Sequence, residues 1–233
     1  MNNNQRFFTL YRELENALTG GQYRDMLDAF QSLALQDSRL RPYLDELQNF
    51  RSLRNIEAHR ADSMEYYEVT DQSIHLLETI LELVLHPVHA AQLGVSIDRM
   101  VTAQINTPIQ QVVEWMHTKP YSNIPIMDMK RRLLGVFSDD ILLQYYYSQA
   151  QHTPIGSLTV ADLQAYWPID SHIKETYLFV PKTTSFNTLL DIFQHPYRGK
   201  KRVAAVFVTH NGLASEAVLS MITPWDVLSQ IKK

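Results

Sequence analysis

Through the first third of the chain, apolar residues recur at three- and four-residue intervals, the period of a helix with one buried face. Phe7, Phe8, Tyr11, Leu14 and Leu18 predict a first helix that stops at Gly20-Gly21. Tyr23, Met26, Leu27, Phe30 and Leu33 predict a second. Pro42 fits the first turn of a third, where its missing N–H does no harm, followed by Leu44, Leu47, Phe50, Leu53 and Ile56. Thr70 suits the cap of a fourth, with Ile74, Leu77, Leu81 and Val84 on one face and a stop at Pro87. Four such helices with short connections predict an antiparallel bundle.

Beyond residue 90 the period changes and the chain repeats itself. Thr107 to Met116 aligns with Thr184 to Phe193, and all five apolar positions coincide. Five-residue apolar runs follow each helix, Ile124–Asp128 with Leu134–Ser138 and Ala205–Thr209 with Leu219–Thr223. Their polar connections, Met129 to Arg132 and the neighbourhood of Asn211-Gly212, predict two β-hairpins. Each repeat therefore reads as helix, strand, strand, helix, with a short strand before the first helix. The second copy carries insertions around 195–202 and 210–217.

Composition narrows the chemistry. The 233 residues are 45% hydrophobic and 20% charged, an ordinary globular balance. The absence of Cys excludes a disulfide framework, a thiolate metal site and a cysteine nucleophile. No window approaches the ~18 apolar residues of a membrane span, and Met1 to Arg6 lead into an amphipathic pattern, so a cytoplasmic protein with no membrane contact is expected. There is no Gly-rich phosphate loop, Gly-x-Ser-x-Gly elbow or His-Glu-x-x-His pair, and neither a metal site nor a resident cofactor is expected. The net charge of −4 is unevenly placed. The first 90 residues hold eight Arg, no Lys and 14 acidic residues, a net of −6, and the remainder sums to +2. Any contact with RNA must rest on a local cluster.

One such cluster is Arg51, Arg54, His59 and Arg60 on the third helix. Asn55 and His59 are four apart and share a face, with Arg54 on the flank. Arg54, Asn55 and His59 resemble the Arg-Asn-x-x-x-His motif of the HEPN family, helical bundles that often act as metal-independent ribonucleases. The resemblance implies a homodimer with two motifs face to face and RNA cut between them. His59 would move the 2′-hydroxyl proton, Arg54 hold the phosphate and Asn55 orient the substrate. The plain alternative is a solvated helix face in a bundle that only dimerises or recruits a protein.

The repeat resembles the CBS domain (cystathionine-β-synthase domain), which occurs in tandem. The fold class expected is thus α+β multidomain: an all-α HEPN-like bundle over 1–88, then an α/β CBS pair over 93–233, with copies at about 93–150 and 172–233. The resemblance implies a regulatory ligand, an adenine nucleotide such as AMP, ADP or ATP. In the second copy Thr223 and Asp226 match the family's strand-end hydroxyl and the carboxylate that takes ribose hydroxyls. The same pair makes a good helix cap, so both roles stay open. In the first copy Ile141 occupies the position three after Ser138. Either the helix starts one residue early and Asp140 substitutes, or this half-site is degenerate, the reading the spacing favours. Val180 and Pro181 lie where the family stacks its adenine, and Ala204 and Ala205 either leave room for a purine or pack tightly. Arg198, Lys200, Lys201 and Arg202 either reach phosphates or form a solvated loop.

Overall fold

The computed structural model describes residues 2–22, 25–58, 69–119, 121–148, 153–195 and 201–231. His59, Arg60, Tyr23, Arg198 and Lys200 lie outside the described residues. The chain divides into two compact units, Met1–Val88 with Ser185–Asn187, and His89–Thr184 with Thr188–Lys233.

The first unit is helical. Helix α1 spans Asn3–Thr19, α2 Met26–Gln36, α3 Leu44–Ala58 and α4 Asp71–Leu85. Each boundary has a local cause. Asn2 and Gln5 form a reciprocal capping box at the start of α1, and Gly20 ends it with φ 63°, the left-handed conformation that glycine adopts without a Cβ penalty. The Thr70 hydroxyl accepts the Ser73 N–H at 3.1 Å and caps α4. Phe7, Leu14, Phe30, Leu47, Ile74, Leu77 and Ile80 are fully buried in one core, with α1 packed on α4. Pro42 departs from expectation. It sits inside a separate 3-10 helix, Ser38–Tyr43, and α3 begins only at Leu44. The Asp37 carboxylate starts that tight turn by accepting the Arg39 backbone N–H at 3.1 Å and binding its guanidinium.

The second unit mixes helix and sheet. The first copy contributes strand β1 (Val95–Ser96), α5 (Ile109–Thr118), β2 (Asn123–Met127), β3 (Leu133–Ser138) and α6 (Asp140–Ser148). The second contributes β4 (Glu175–Pro181), α7 (Phe186–Gln194), β5 (Arg202–Thr209), β6 (Ser220–Ile222) and α8 (Pro224–Ile231). Strands β2 and β3 form an antiparallel hairpin. Asp128 closes its turn by accepting the N–H groups of Lys130 and Arg132 at 2.8 Å each. The other sheet runs β1-β6-β5-β4, with β4 parallel to β5.

Only the second copy has a full strand before its first helix. In the first copy that strand shrinks to one parallel bridge between Ala103 and Ile126. The chain turns immediately afterwards, with the Gln104 N–H bonded to the Thr107 hydroxyl at 2.9 Å, and no length remains for further pairing.

The leading segments of the two copies are exchanged. Val95 and Ser96, ahead of the first copy, pair with Met221 and Ser220 of the second. Trp167, ahead of the second copy, accepts the N–H of Val136 in the first at 2.9 Å. Glycine makes both crossings feasible: a Cβ on Gly94 would sit 2.1 Å from the Met221 carbonyl oxygen, and one on Gly135 2.3 Å from that of Trp167.

Candidate ligand cleft

A cleft of about 360 Å³ opens where β3 gives way to α6. Ser138, Asp139, Asp140 and Leu143 line it from the first copy. His172 to Glu175 line it from the approach to β4, and Arg202 from the start of β5. The exchanged connection therefore brings groups from both copies to one cavity.

Ser138 is the last residue of β3 and is fully buried. Its Oγ has no hydrogen-bond partner among the described residues, and neither has Nε2 of His172, a residue only 2% exposed. Buried polar atoms are normally paired, and an unpaired one costs about 1–3 kcal/mol. Two orphans in one cavity wall therefore suit a polar ligand.

The charged groups around them are paired. Lys174 Nζ donates to Asp140 Oδ1 at 2.8 Å, and Gln144 donates to Oδ2 at 2.9 Å. The Lys174 bond, then that from Gln144, hold the Asp140 carboxyl below its ordinary pKa. Glu175 is buried, takes the Arg202 guanidinium at 3.1 Å and accepts the Tyr177 hydroxyl at 2.8 Å. Burial, reinforced by the Glu175 charge, pushes the Tyr177 phenol upward. Burial pulls His172 below the usual imidazole range, and Glu175 partly opposes it. The imidazole lies edge-on to the Tyr177 ring with centroids 4.9 Å apart, while Lys201 donates its ammonium to the His172 carbonyl.

The residues singled out from sequence fall in three places. Ser138 and Asp140 meet in the cleft. Helix α6 does not start early: it begins two residues after Ser138, whereas α8 begins one residue after Thr223. Asp140 reaches the cleft as the first residue of its helix. Thr223 and Asp226 cap α8, with the Asp226 carboxylate accepting both the N–H and the hydroxyl of Thr223 at 2.7 Å. The sheet register pairs Ile222 with Val206, which brings Thr223 alongside Ala205. Ala205 is fully buried against Met127, Val136, Tyr177 and Phe207, with half-buried Ala204 beside it. Val180 and Pro181 stand at the opposite end of β4 from Glu175, paired with Val208 and Thr209.

Sequence patterns did not pick out His172, Lys174, Glu175 and Tyr177. The available signal was the charged pair Lys174-Glu175 leading straight into the apolar run from Tyr177 to Val180.

In the first unit, Arg51, Arg54 and Asn55 line a separate cavity of about 460 Å³ with Tyr11, Glu15 and Asp25. Arg54 donates to Asn55 Oδ1 at 3.2 Å, and Arg51 pairs with Asp25 at 3.0 Å.

Residues 93–148 match the CBS domain family. The matched CBS segment runs from Leu93 to Ser148 and holds Ser138 and Asp140 of the cleft. Solved structures similar to this chain include a putative acetoin utilization protein (AcuB) from Vibrio cholerae. It is 15% identical, with a TM-score of 0.45 over 62% of this chain and 90% of that one. Another is CBSX2 in complex with AMP, 19% identical, with a TM-score of 0.44 over 62% of this chain and 98% of that one. A third is the CBS domain of a bacterial CNNM/CorC family Mg2+ transporter, 20% identical, with a TM-score of 0.43 over 80% and 94%. No curated protein matches the chain. Among the described residues, no helix is long and apolar enough to cross a membrane.

Proposed function

We propose that residues 93–233 form a CBS pair that binds an adenine nucleotide, and that the protein is a nucleotide-sensing regulator acting through its N-terminal bundle. The observation that carries this reading is the pair of buried, partnerless atoms, Ser138 Oγ and His172 Nε2, in the wall of one cleft. A ligand with hydroxyl and phosphate oxygens suits a wall that holds such groups. The CBS family resemblance supports an adenine nucleotide, AMP, ADP or ATP, as that ligand. Asp140 replaces the carboxylate that Ile141 cannot supply, so the first-copy cleft is the principal site. Thr223 and Asp226 mark a second half-site; both carboxylates are engaged in the ligand-free chain, Asp140 by Lys174 and Gln144 and Asp226 by Thr223.

The test is a melting series with AMP, ADP, ATP and a cyclic dinucleotide. A ligand bound only to the folded chain raises its stability by mass action, by about 2.7 kcal/mol at a hundred times its Kd. An adenine nucleotide is expected to raise the melting temperature, and no response to any of them sinks the reading.

A second reading concerns the bundle. Arg51, Arg54 and Asn55 line one cavity, which fits a HEPN-like dimer that cuts RNA without metal, with His59 as proton carrier. Purified protein on a pool of tRNA and mRNA in EDTA decides it. Cleavage lost in Arg54→Ala and His59→Ala supports a nuclease, whereas an intact pool leaves a bundle that dimerises or recruits a partner protein.

A further inference from the structure

The charges around the cleft are wrong for a phosphate. Its lining holds three carboxylates, Asp139, Asp140 and Glu175, against two permanent cations, Lys174 and Arg202. Both cations are tied to carboxylates, Lys174 to Asp140 at 2.8 Å and Arg202 to Glu175 at 3.1 Å. With a neutral imidazole the wall is net negative by one charge, and a phosphate dianion entering it would be repelled. His172 is the lining group that can gain a positive charge near neutral pH.

Its position suits that role. The residue is 2% exposed, its Nε2 is without a partner among the described residues, and the backbone of Trp167 and of Val136 acts on the imidazole by hydrogen bonding. Glu175 and Tyr177 face it from β4, and Lys201 approaches its carbonyl from the start of β5. Asp140, at the corner of β3 and α6, acts on it through space, with Asp139, Lys174 and Arg202 in the same wall. Burial holds the empty site's imidazole neutral, whereas an adjacent anion favours the imidazolium.

Resting on the nucleotide reading, we propose that a phosphorylated ligand enters this cleft together with one proton, taken up at His172, so that it binds more tightly as the pH falls through the neutral range. The unphosphorylated nucleoside brings no charge and needs no proton. The cleft thereby reports nucleotide and acidity together.

The experiment is calorimetry of the full chain with AMP and with adenosine, near pH 7.5, in two buffers of different ionisation enthalpy. AMP is expected to show a buffer-dependent heat that reports proton uptake, at most one proton per site, and adenosine none. Across the pH range the AMP affinity should change by up to about tenfold per pH unit, the limit for one linked proton. In His172→Gln that slope should fall to whatever the phosphate's own titration contributes, while adenosine binds within about twofold of the wild type. AMP binding without proton uptake, or with uptake that persists in His172→Gln, overturns the proposal and leaves the nucleotide reading standing. Failure of both ligands to bind overturns the nucleotide reading itself. Should His172→Gln not fold, the two-buffer comparison on the wild type is run with adenosine 5′-sulfate, whose anion takes up no proton in this range, and absence of uptake then overturns the proposal.

Discussion

Thr223 and Asp226 hold each other: one carboxylate oxygen of Asp226 accepts both the backbone N–H and the hydroxyl of Thr223, each at 2.7 Å. Removing that cap costs about 0.5–2 kcal/mol whether or not a ligand is present. Asp226→Ala is therefore expected to melt earlier while keeping most of its stabilisation by AMP. Asp140→Ala should lose most of that stabilisation. Denaturation with and without AMP separates the two, and loss of the AMP response in Asp226→Ala alone would place the principal site at α8 instead.

Ser138→Ala is expected to move stability and affinity in opposite directions. The hydroxyl is buried and unpaired, so its removal leaves the ligand-free chain as stable as before or more so. The same change deletes one hydrogen bond to the nucleotide and should weaken AMP by about 0.5–1.5 kcal/mol. Urea titration and calorimetry on one preparation measure both signs.

Glu216 sets an acid limit on the loop that joins β5 and β6. Its carboxylate accepts the Asn211 N–H at 2.8 Å and the Asn211 amide at 2.6 Å, which draws its pKa down to about 2. A depressed carboxylate stabilises the fold above its unfolded pKa of 4.5, and that contribution disappears as the pH falls through about 2. Carbon-detected titration should find this midpoint well below those of exposed glutamates. Glu216→Gln should make amide exchange at Asn211 faster at neutral pH, and unchanged exchange would refute the role.

Gly135→Ala should destabilise the second unit by about 1–3 kcal/mol, the scale of a forced overpacking. The new Cβ would sit 2.3 Å from the Trp167 carbonyl oxygen and 2.5 Å from its ring. Gly94→Ala meets Met221 at 2.1 Å from a backbone with φ 74°, and should cost at least as much. Chemical denaturation of the two variants gives the values. In contrast, Gly156 has only the Gln110 side chain near its would-be Cβ, at 3.6 Å, and serves as a neutral control.

The sequence carried what is periodic. The faces of α1, α2 and α4 and the hairpins β2–β3 and β5–β6 are legible because burial imposes a spacing that recurs locally. What stayed hidden depends on distant pieces of chain. Val95 and Ser96 carry no periodic pattern of their own, and their pairing with Met221 and Ser220 makes them a strand. His172 and Glu175 come to line the cleft because the chain beyond Trp167 crosses back to the other copy. Pro42 shows a third limit: a 3-10 turn anchored upstream by Asp37 on Arg39 takes in the proline, and the α-helix starts after it. The motif at Arg54 and Asn55 was visible as spacing, and the cavity they share with Tyr11 and Asp25 required the bundle.

The crossing of the two leading segments makes neither repeat a portable part. A chain cut between the copies would strip β6 of its β1 neighbour and leave Val136 without an acceptor at Trp167. Each half would then carry an open sheet edge ready to recruit the missing segment from another molecule. Shuffling one copy into another protein would thus move an incomplete piece, and the smallest exchangeable unit is the pair.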